Sequence, residues 1–373
     1  MEFRDIKRQY QILKTEIDTA IADVNASGAF IMGKQIKELE ALLAEYVGVK
    51  HCLSCANGTD ALTLALKVWG IGAGDAVFVP DFTFFSSAEV IALEGATPVF
   101  VDVCPETFNM GADSLVHAIQ AVKAEGKLHP KAIIAVDLFG LPANFKQIKS
   151  IAQREQLLLL EDGAQGFGGA IDGKKACSFG DIATTSFFPA KPLGCYGDGG
   201  AVFTDNDEWA DLVRSYRVHG KGTNKYDNIR IGLNSRLDTL QAAILQVKFR
   251  AFVKQELTLI NQVAERYNSN LRGIVLPTTP LHFTSSWAQY TLRLKDTTER
   301  TALQAFLKSH DIPSMVYYPT TMSDQTAFNG TKRYIETPNS HQLAQTVLSL
   351  PIHPYMTEAE SQTVIDTIHS FYN

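Results

Sequence analysis

From about residue 50 to residue 160, the chain alternates short apolar runs with amphipathic stretches. The apolar runs have the length of buried strands, and the amphipathic stretches have helical spacing. This alternation predicts an α/β fold whose mainly parallel sheet carries helices on both faces. The predicted strands are 51–55, 76–79, 98–101, 132–136 and 157–160, and the predicted helices are 59–69, 86–93, 114–122 and 145–153. Two further β-type runs, 182–188 and 201–204, are expected to extend the same sheet.

The pattern changes after Arg236. From Leu237 to about Leu271 the chain has no Gly or Pro, and its apolar residues recur at helical spacing. A chain of 373 residues exceeds the size at which one hydrophobic core stops growing. We therefore expect a large α/β domain over residues 1–250 and a smaller C-terminal α+β domain over residues 251–373.

Composition limits the partners and the compartment. The net charge of -6 gives no global attraction for nucleic acid or for an anionic membrane. The charged N-terminus does not resemble a signal peptide, and no apolar run reaches the ~18 residues that span a bilayer. The five cysteines are interpreted as free thiols, and Cys52 and Cys55 lack the partners of a metal site. We expect a cytoplasmic protein without a metal.

Ligands of doubly wound sheets bind beyond the carboxyl ends of the strands. The first predicted strand ends in Ala56-Asn57-Gly58-Thr59, and a helix follows at once. A glycine turn before a helix presents free N–H groups and a partial positive charge, which suit a phosphate. An ordinary helix start capped by Asn57 or Thr59 is the alternative.

Strand 157–160 is followed by Glu161-Asp162-Gly163-Ala164-Gln165. A carboxylate at the tip of a buried strand is costly unless a cation faces it. Asp162 could pair with the protonated ring nitrogen of pyridoxal phosphate (PLP), whose electron-sink chemistry needs such a carboxylate. The alternative is a turn or helix cap.

Lys191 lies in the run Ser186-Phe187-Phe188-Pro189-Ala190-Lys191-Pro192-Leu193-Gly194. Most lysines are solvated surface charges. Here the apolar and proline-rich flanks favour a desolvated amine with a lowered pKa, which a Schiff-base nucleophile requires. Ser186 precedes it and could bind phosphate.

These motifs together resemble the DegT/StrS sugar aminotransferases, which are PLP enzymes of the aspartate-aminotransferase fold (PLP fold type I). The resemblance runs nearly end to end. It is carried by the segments GAFIMGKQIKELE, SCANGTDAL, PDFTFFSSAE, EDGAQ, TSFFPAKPLGCYGDGGA and IGLNSRLDTLQAAIL. Motifs of this length in this order are far more specific than any one of them.

The resemblance implies roles around the cofactor ring. Lys191 would form the Schiff base and move the proton, and Asp162 would pair with the pyridine nitrogen. Gln165 would bond the phenolic oxygen. Phe84 would stack on the ring, although a plain core role is equally compatible with its sequence.

The resemblance also implies a phosphate site and a homodimer. Gly58, Thr59 and Ser186 would hold the phosphate. Asn234 would reach the same phosphate from the partner subunit, so that two copies share each active site.

Within the family, the chain is most similar to aminotransferases of UDP-2-acetamido-2-deoxy-3-oxo-glucuronate. Arg236 could pair bidentately with the sugar carboxylate, or it could form a surface salt bridge. Tyr317 and Tyr318 are expected at the sugar. Where this subgroup reads HYPxP, the chain has Tyr317-Tyr318-Pro319-Thr320-Thr321, so that Tyr318 matches but a histidine and a proline are missing.

The implied reaction is a two-step transamination with L-glutamate as donor, in which PLP alternates with pyridoxamine phosphate. The implied pathway is bacterial surface polysaccharide synthesis of the O-antigen type. Alternatives are the same chemistry at carbon 4, or at carbon 3 of another UDP- or dTDP-keto-sugar. A dehydratase is disfavoured because related dehydratases replace Lys191. A non-catalytic PLP-binding sensor is disfavoured because Asp162 and Lys191 are both present.

Overall fold

The computed structural model describes residues 1–224 and 226–373. The strands are β1 His51–Cys55, β2 Asp75–Pro80, β3 Thr97–Val101, β4 His129–Val136, β5 Leu158–Asp162, β6 Ala170–Ile171, β7 Lys174–Lys175, β8 Ile182–Ser186, β9 Gly200–Thr204, β10 Phe283–Thr284, β11 Tyr290–Arg293 and β12 Val347–Leu350. The helices are α1 Ile6–Ser27, α2 Lys34–Val47, α3 Gly58–Val68, α4 Ser86–Leu93, α5 Ala112–Glu125, α6 Phe145–Glu155, α7 Asp207–Tyr216, α8 Thr239–Ala251, α9 Leu257–Asn270, α10 Thr297–Ser309, α11 Pro338–Thr346 and α12 Glu358–Tyr372. Three short 3₁₀ turns and one π-helical turn, Phe252–Glu256, complete the described elements.

The largest sheet has seven strands in the order β1-β9-β8-β5-β4-β2-β3. Strands β3, β2, β4, β5 and β8 pair in parallel, as the alternating pattern predicts. Strand β9 runs antiparallel to both of its neighbours, β8 and β1. Its direction was not predictable from its composition, because apolar β-type runs do not record strand direction.

Burial on both faces explains the unbroken apolar character of the strands. Val77 and Val79 of β2 pack into the core that includes α3 and α4. Ala76 and Phe78 of the same strand pack into the core that includes α5 and α6. Successive side chains of a strand point to opposite faces, so a two-sided parallel strand must be apolar at every position.

The N-terminal helices α1 and α2 were not among the predicted elements. Helix α1 packs on α8 through Leu13 and Ile17 against Ile244 and Val247. The predicted helical stretch 237–271 is confirmed as α8 and α9 joined by the π-helical turn. Among the described helices, none combines the length and the apolar character that crossing a bilayer would require.

A separate core forms in the C-terminal part of the chain, between α9, α10, α12 and the β11–β12 pair. Met322, Phe328 and Leu343, however, pack into the core of the large sheet. Residues 322–347 thus contribute to the core of the large sheet, although they follow residue 250 in the sequence. The division into domains at residue 250 stays a prediction.

One buried ion pair fixes the strand that leads to the predicted phosphate turn. Arg217 Nη1 donates to Glu40 Oε1 at 2.7 Å and to the Ser54 carbonyl at 2.6 Å. Glu40 Oε1 also accepts from the Ser54 N–H and hydroxyl, each at 2.8 Å. This arrangement joins α2, β1 and the segment after α7.

Arg217→Met should lower the free energy of unfolding by roughly 3–5 kcal/mol, because it leaves the Glu40 carboxylate buried without its cation. The control is Arg214→Met, which removes an exposed pair with Asp211 (2.6 Å) and should cost no more than about 1 kcal/mol. Urea unfolding of both variants measures the difference. An equal loss of free energy of unfolding in the two variants would show that the Arg217–Glu40 pair stabilises the fold no more than an exposed ion pair does.

Candidate active site

A cavity of about 650 Å³ opens at the carboxyl ends of β1, β5 and β8. Nine of the predicted site residues line it together. They are Gly58, Thr59, Phe84, Asp162, Gln165, Ser186, Lys191, Tyr317 and Tyr318. The structure therefore gathers residues that lie up to 260 positions apart in the sequence. Strands β1, β5 and β8 deliver their carboxyl ends to one edge of the sheet, and Tyr317 and Tyr318 reach that edge from the C-terminal part of the chain.

Asp162 is the buried carboxylate of the cavity, which Asp60 and Asp198 also line from less buried positions. It is the last residue of β5 and is only 4% exposed. Ser87 donates its hydroxyl to Asp162 Oδ2 at 2.7 Å, and the Ala164 N–H donates to Oδ1 at 3.2 Å. Burial raises the pKa of Asp162, and the two hydrogen bonds and the charge of Lys191 oppose that rise. A further cation at this carboxylate would be strongly favoured.

The neighbouring carboxylate, Glu161, faces away from this chemistry. Its oxygens accept N–H groups from Cys177, Phe179 and Gly180 at 2.5, 2.6 and 3.2 Å. Consecutive strand residues point to opposite faces of the sheet, so only one residue of the Glu161-Asp162 pair can serve the cavity. The structure thus assigns Asp162 to the site and Glu161 to a loop anchor.

Lys191 is the basic group of the cavity. Burial lowers its pKa to about 8, while Asp162 opposes the shift and the nearby charge of Arg4 adds to it. With that pKa, about one Lys191 amine in ten is uncharged at pH 7, whereas an ordinary lysine would be almost fully protonated. An uncharged amine is what nucleophilic attack on a carbonyl requires.

The predicted phosphate turn is also a capped helix start. Asn57 caps α3 by accepting the Asp60 N–H at 2.7 Å, so the capping alternative is confirmed for this residue. A Cβ on Gly58 would lie 2.7 Å from the Ser186 Cβ, so only glycine lets the turn and β8 approach this closely. Ser186 Oγ accepts the Phe188 N–H, which leaves its own hydroxyl hydrogen for a ligand.

The opposite wall is aromatic and amide-bearing. Gln165 accepts the Phe139 N–H at 2.7 Å and donates to the Tyr318 hydroxyl at 3.0 Å. Its amide nitrogen carries a second hydrogen that a ligand could accept. Phe84 lines the cavity, is half-exposed, and has its ring centroid 6.0 Å from that of Tyr318, so a plain core role does not describe it.

Asn234 and Arg236 lie outside the set of described residues that line this cavity. Asn234 is exposed, and its amide oxygen accepts Arg236 Nη2 at 2.6 Å. Arg236 therefore bonds an amide oxygen rather than the carboxylate of a surface salt bridge. Between them, Ser235 is buried and anchors the segment by accepting the Ala56 N–H at 3.1 Å.

Comparison with known proteins identifies the family. The model of the DegT/DnrJ/EryC1/StrS aminotransferase family matches residues 11–369. The chain belongs to this family. It is 43% identical over 366 residues to the UDP-2-acetamido-2-deoxy-3-oxo-D-glucuronate aminotransferase of Pseudomonas aeruginosa, covering 98% of each chain. Other relatives bear the names of dTDP-sugar transaminases.

Solved structures of family members share the fold. A DegT DnrJ EryC1 StrS aminotransferase from Brucella abortus superposes with a TM-score of 0.97 at 46% identity, covering 100% of both chains. The PLP form of the putative sugar aminotransferase Spr1654 from Streptococcus pneumoniae superposes with a TM-score of 0.88 at 25% identity, covering 96% of each chain. The aspartate-aminotransferase-like fold is thus confirmed.

As a family member, the protein is a PLP-dependent aminotransferase of nucleotide sugars. PLP is the cofactor, and pyridoxamine phosphate is its amino form in the half-reaction. When bound, it supplies an electron sink for the carbon that gains or loses the amino group. The cavity fits it: the Gly58 turn and Ser186 suit the phosphate, Asp162 the ring nitrogen, Gln165 the phenolic oxygen, and Lys191 the reactive carbon.

Ser87 is a site residue that the sequence analysis missed. It lies in the first turn of α4, in the quoted segment PDFTFFSSAE, and its hydroxyl donates to the Asp162 carboxylate. Its position at the start of the helix that follows the parallel strand β2 was the available signal. Serines at helix starts are so commonly caps that the signal was not specific.

We expect borohydride treatment of the holoenzyme to reduce a carbon–nitrogen double bond at Lys191 and to leave the cofactor on the Lys191 peptide in mass spectrometry. Lys191→Ala should lose both this adduct and turnover. Lys248→Met is the matched control, because Lys248 is a buried lysine whose pKa is also lowered to about 8 by burial, and it lies outside the set of described residues that line the cavity. An adduct that maps to Lys248 would reassign the nucleophile.

Proposed function

We propose that this enzyme transfers an amino group from L-glutamate to carbon 3 of UDP-2-acetamido-2-deoxy-3-oxo-glucuronate. The product would serve the assembly of a bacterial surface polysaccharide of the O-antigen type. The observation that carries the proposal is the 43% identity, over 98% of both chains, to the aminotransferase of that name. Across such a span, the similarity includes every segment that lines the cavity.

The chemistry of the substrate adds a physical requirement. A UDP-sugar acid carries phosphate and carboxylate charges, whereas the protein has a net charge of -6. Binding therefore needs local cations. Arg236 is a candidate, because a planar guanidinium matches a carboxylate better than an ammonium does. Its bond to Asn234 engages Nη2 and leaves other N–H donors of the fork for the sugar.

Within the cavity, the protein's own groups would divide the work. Lys191 would take the proton from the carbon of the amino donor and return one to the sugar carbon, which its lowered pKa permits near neutral pH. Asp162, held by Ser87, would keep the ring nitrogen protonated. Tyr317 and Tyr318, which line the same cavity beside Lys191, would bound the sugar.

The substrate proposal predicts a selective defect in Arg236→Lys. Loss of a charge-assisted bidentate pair should cost ~1.5–3 kcal/mol, or roughly ten- to a hundredfold in kcat/KM for the sugar acid. A neutral analogue without the carbon-6 carboxylate should be affected much less. Both substrates are compared on wild type and variant in one coupled assay.

Three outcomes would redirect the assignment. Equal losses for both substrates would place Arg236 in the support of Asn234 or in donor binding. A wild-type preference for a neutral 4-keto sugar would overturn the substrate proposal and favour the carbon-4 alternative. A preference for a neutral dTDP-3-keto sugar would favour the other alternative, carbon 3 of another keto-sugar, for which the names of the dTDP-sugar relatives give a precedent.

We further propose that the enzyme is a homodimer whose active sites are completed across the interface. Asn234 and Arg236 are solvent-accessible and do not line the cavity of their own subunit. Apolar side chains cluster near them on the surface. Phe30, Ile31 and Met32, which are 47%, 50% and 42% exposed, adjoin Asp238 and Thr239 through main-chain bonds. Contiguous exposed apolar surface of this kind marks an interaction site.

Subunit mixing tests the shared site. A Lys191→Ala dimer and an Asn234→Ala dimer should each be weak, but exchange between them creates mixed dimers. In such a dimer, the subunit that keeps Lys191 receives Asn234 from its partner, so one site is intact. Random exchange should restore about a quarter of the wild-type sites. If Asn234 served its own subunit, mixing would restore no activity.

A further inference from the structure

The N-terminal segment before and at the start of α1, residues 3–9, lies behind the catalytic lysine and is here called the strap. Arg4 Nη2 donates to the main-chain carbonyl of Lys191 at 3.1 Å. Arg8 pairs with Glu360 at 2.7 Å, and the Ile352 N–H donates to the Phe3 carbonyl at 3.2 Å. The strap is thus fastened to the C-terminal part of the chain on one side and to Lys191 on the other.

The guanidinium of Arg4 is enclosed without an ion pair. Its Nη1 is buried and has no hydrogen-bond partner among the described residues, which also give it no carboxylate within ion-pair distance. It lines a small cavity of about 20 Å³ on the far side of Lys191, together with Pro189 and His353. A buried cation without a direct counter-ion is costly, so a purely structural role would favour an apolar side chain here.

Through Arg4, the strap adds a positive charge close to Lys191, in a region that also contains the basic side chains of Lys248 and His353. The charged and titratable groups that face Lys191 or Arg4 come from several elements: Asp162 from β5, Lys248 from α8, Glu256 from the π-helical turn, Tyr317, and His353 after β12. Burial lowers the pKa of Arg4 to about 10, which still leaves it charged at neutral pH. The cation therefore disfavours a second positive charge on Lys191.

We propose that Arg4 is a positioning residue for transamination: it holds the main chain of Lys191 from behind the cavity, and its fixed positive charge favours the uncharged form of the Lys191 amine. This inference rests on the role of Lys191 proposed above. The hydrogen bond from Arg4 further restrains the Lys191 carbonyl, in a segment whose backbone is already restricted by Pro189 and Pro192. The charge acts on the amine that must accept and return the proton.

The sign of the effect follows from the charges. A neighbouring cation lowers the pKa of Lys191, so its removal must raise that pKa above about 8. In Arg4→Met, the uncharged fraction of Lys191 at pH 7 should therefore fall below that of the wild type. Arg4→Lys keeps the charge and should restore most of the fraction.

The test measures the amine directly in full-length protein freed of cofactor. Trace labelling with acetic anhydride across pH 6 to 10, followed by mass spectrometry of the Lys191 peptide, reports how much amine is uncharged at each pH. Arg4→Met and Arg4→Gln should move this profile to higher pH, and kcat should fall in parallel at pH 7 with little change in KM for the sugar. Arg4→Gln provides the same readout should the Met variant fold poorly.

Arg8→Met is the matched control, because it loosens the strap from Glu360 without touching Lys191. It should lower stability and leave the Lys191 profile unchanged. A wild-type profile in both Arg4→Met and Arg4→Gln, or an equal shift in Arg8→Met, would overturn the proposal. The borohydride adduct tests Lys191 itself, so a failure of that assignment is distinguishable from a failure of this one.

Discussion

The site depends on the burial of one amine and one carboxylate in a single cavity. Burial lowers the pKa of Lys191 and raises that of Asp162, and each group restrains the shift of the other. The pair is therefore poised between its charged and neutral forms, whereas either group alone would be driven to neutrality. The Ser87 hydroxyl, which donates to Asp162 at 2.7 Å, favours the anionic form of that carboxylate. The charge of Arg4 favours the neutral form of the Lys191 amine. Burial thus sets the direction of both pKa shifts, and different neighbours adjust each group.

The parallel sheet makes this arrangement possible. Strands β5 and β8 are adjacent, and their carboxyl ends place Asp162 and Ser186 on one edge of the sheet. The antiparallel strand β9 lies between β8 and β1, so β1 also ends at this edge and delivers the Gly58 turn. The close contact between Gly58 and Ser186 follows from that order. The direction of β9 is thus part of the construction of the site.

Much of the fold and of the candidate site could be predicted from local sequence patterns. Contacts between residues far apart in the sequence could not. The predicted strands and helices up to residue 160 agree with the structure within a few residues, because the short-range spacing of apolar residues indicates both kinds of element. The residues that follow β1, β5 and β8 were predicted for the same reason. Arg4 and Ser87 were not predicted as site residues, because their partners Lys191 and Asp162 lie 187 and 75 residues away. The residues adjacent to them in the sequence do not identify those partners. The roles proposed for Asn234 and Arg236 involve contacts between two copies of the chain, and short-range periodicity does not encode such contacts.

The strap gives the site a physical link to the rest of the molecule. Tyr318 reaches the cavity from the C-terminal part of the chain, and the strap is fastened to the same part through Arg8 and Phe3. Phe3 also contacts the Tyr317 ring, with centroids 6.1 Å apart. A displacement of these C-terminal elements would therefore move Tyr317, Tyr318 and the support of Lys191 together. Lys191 and the aromatic wall of the cavity would shift as one unit, because Arg4 couples the lysine to the segment that contacts both.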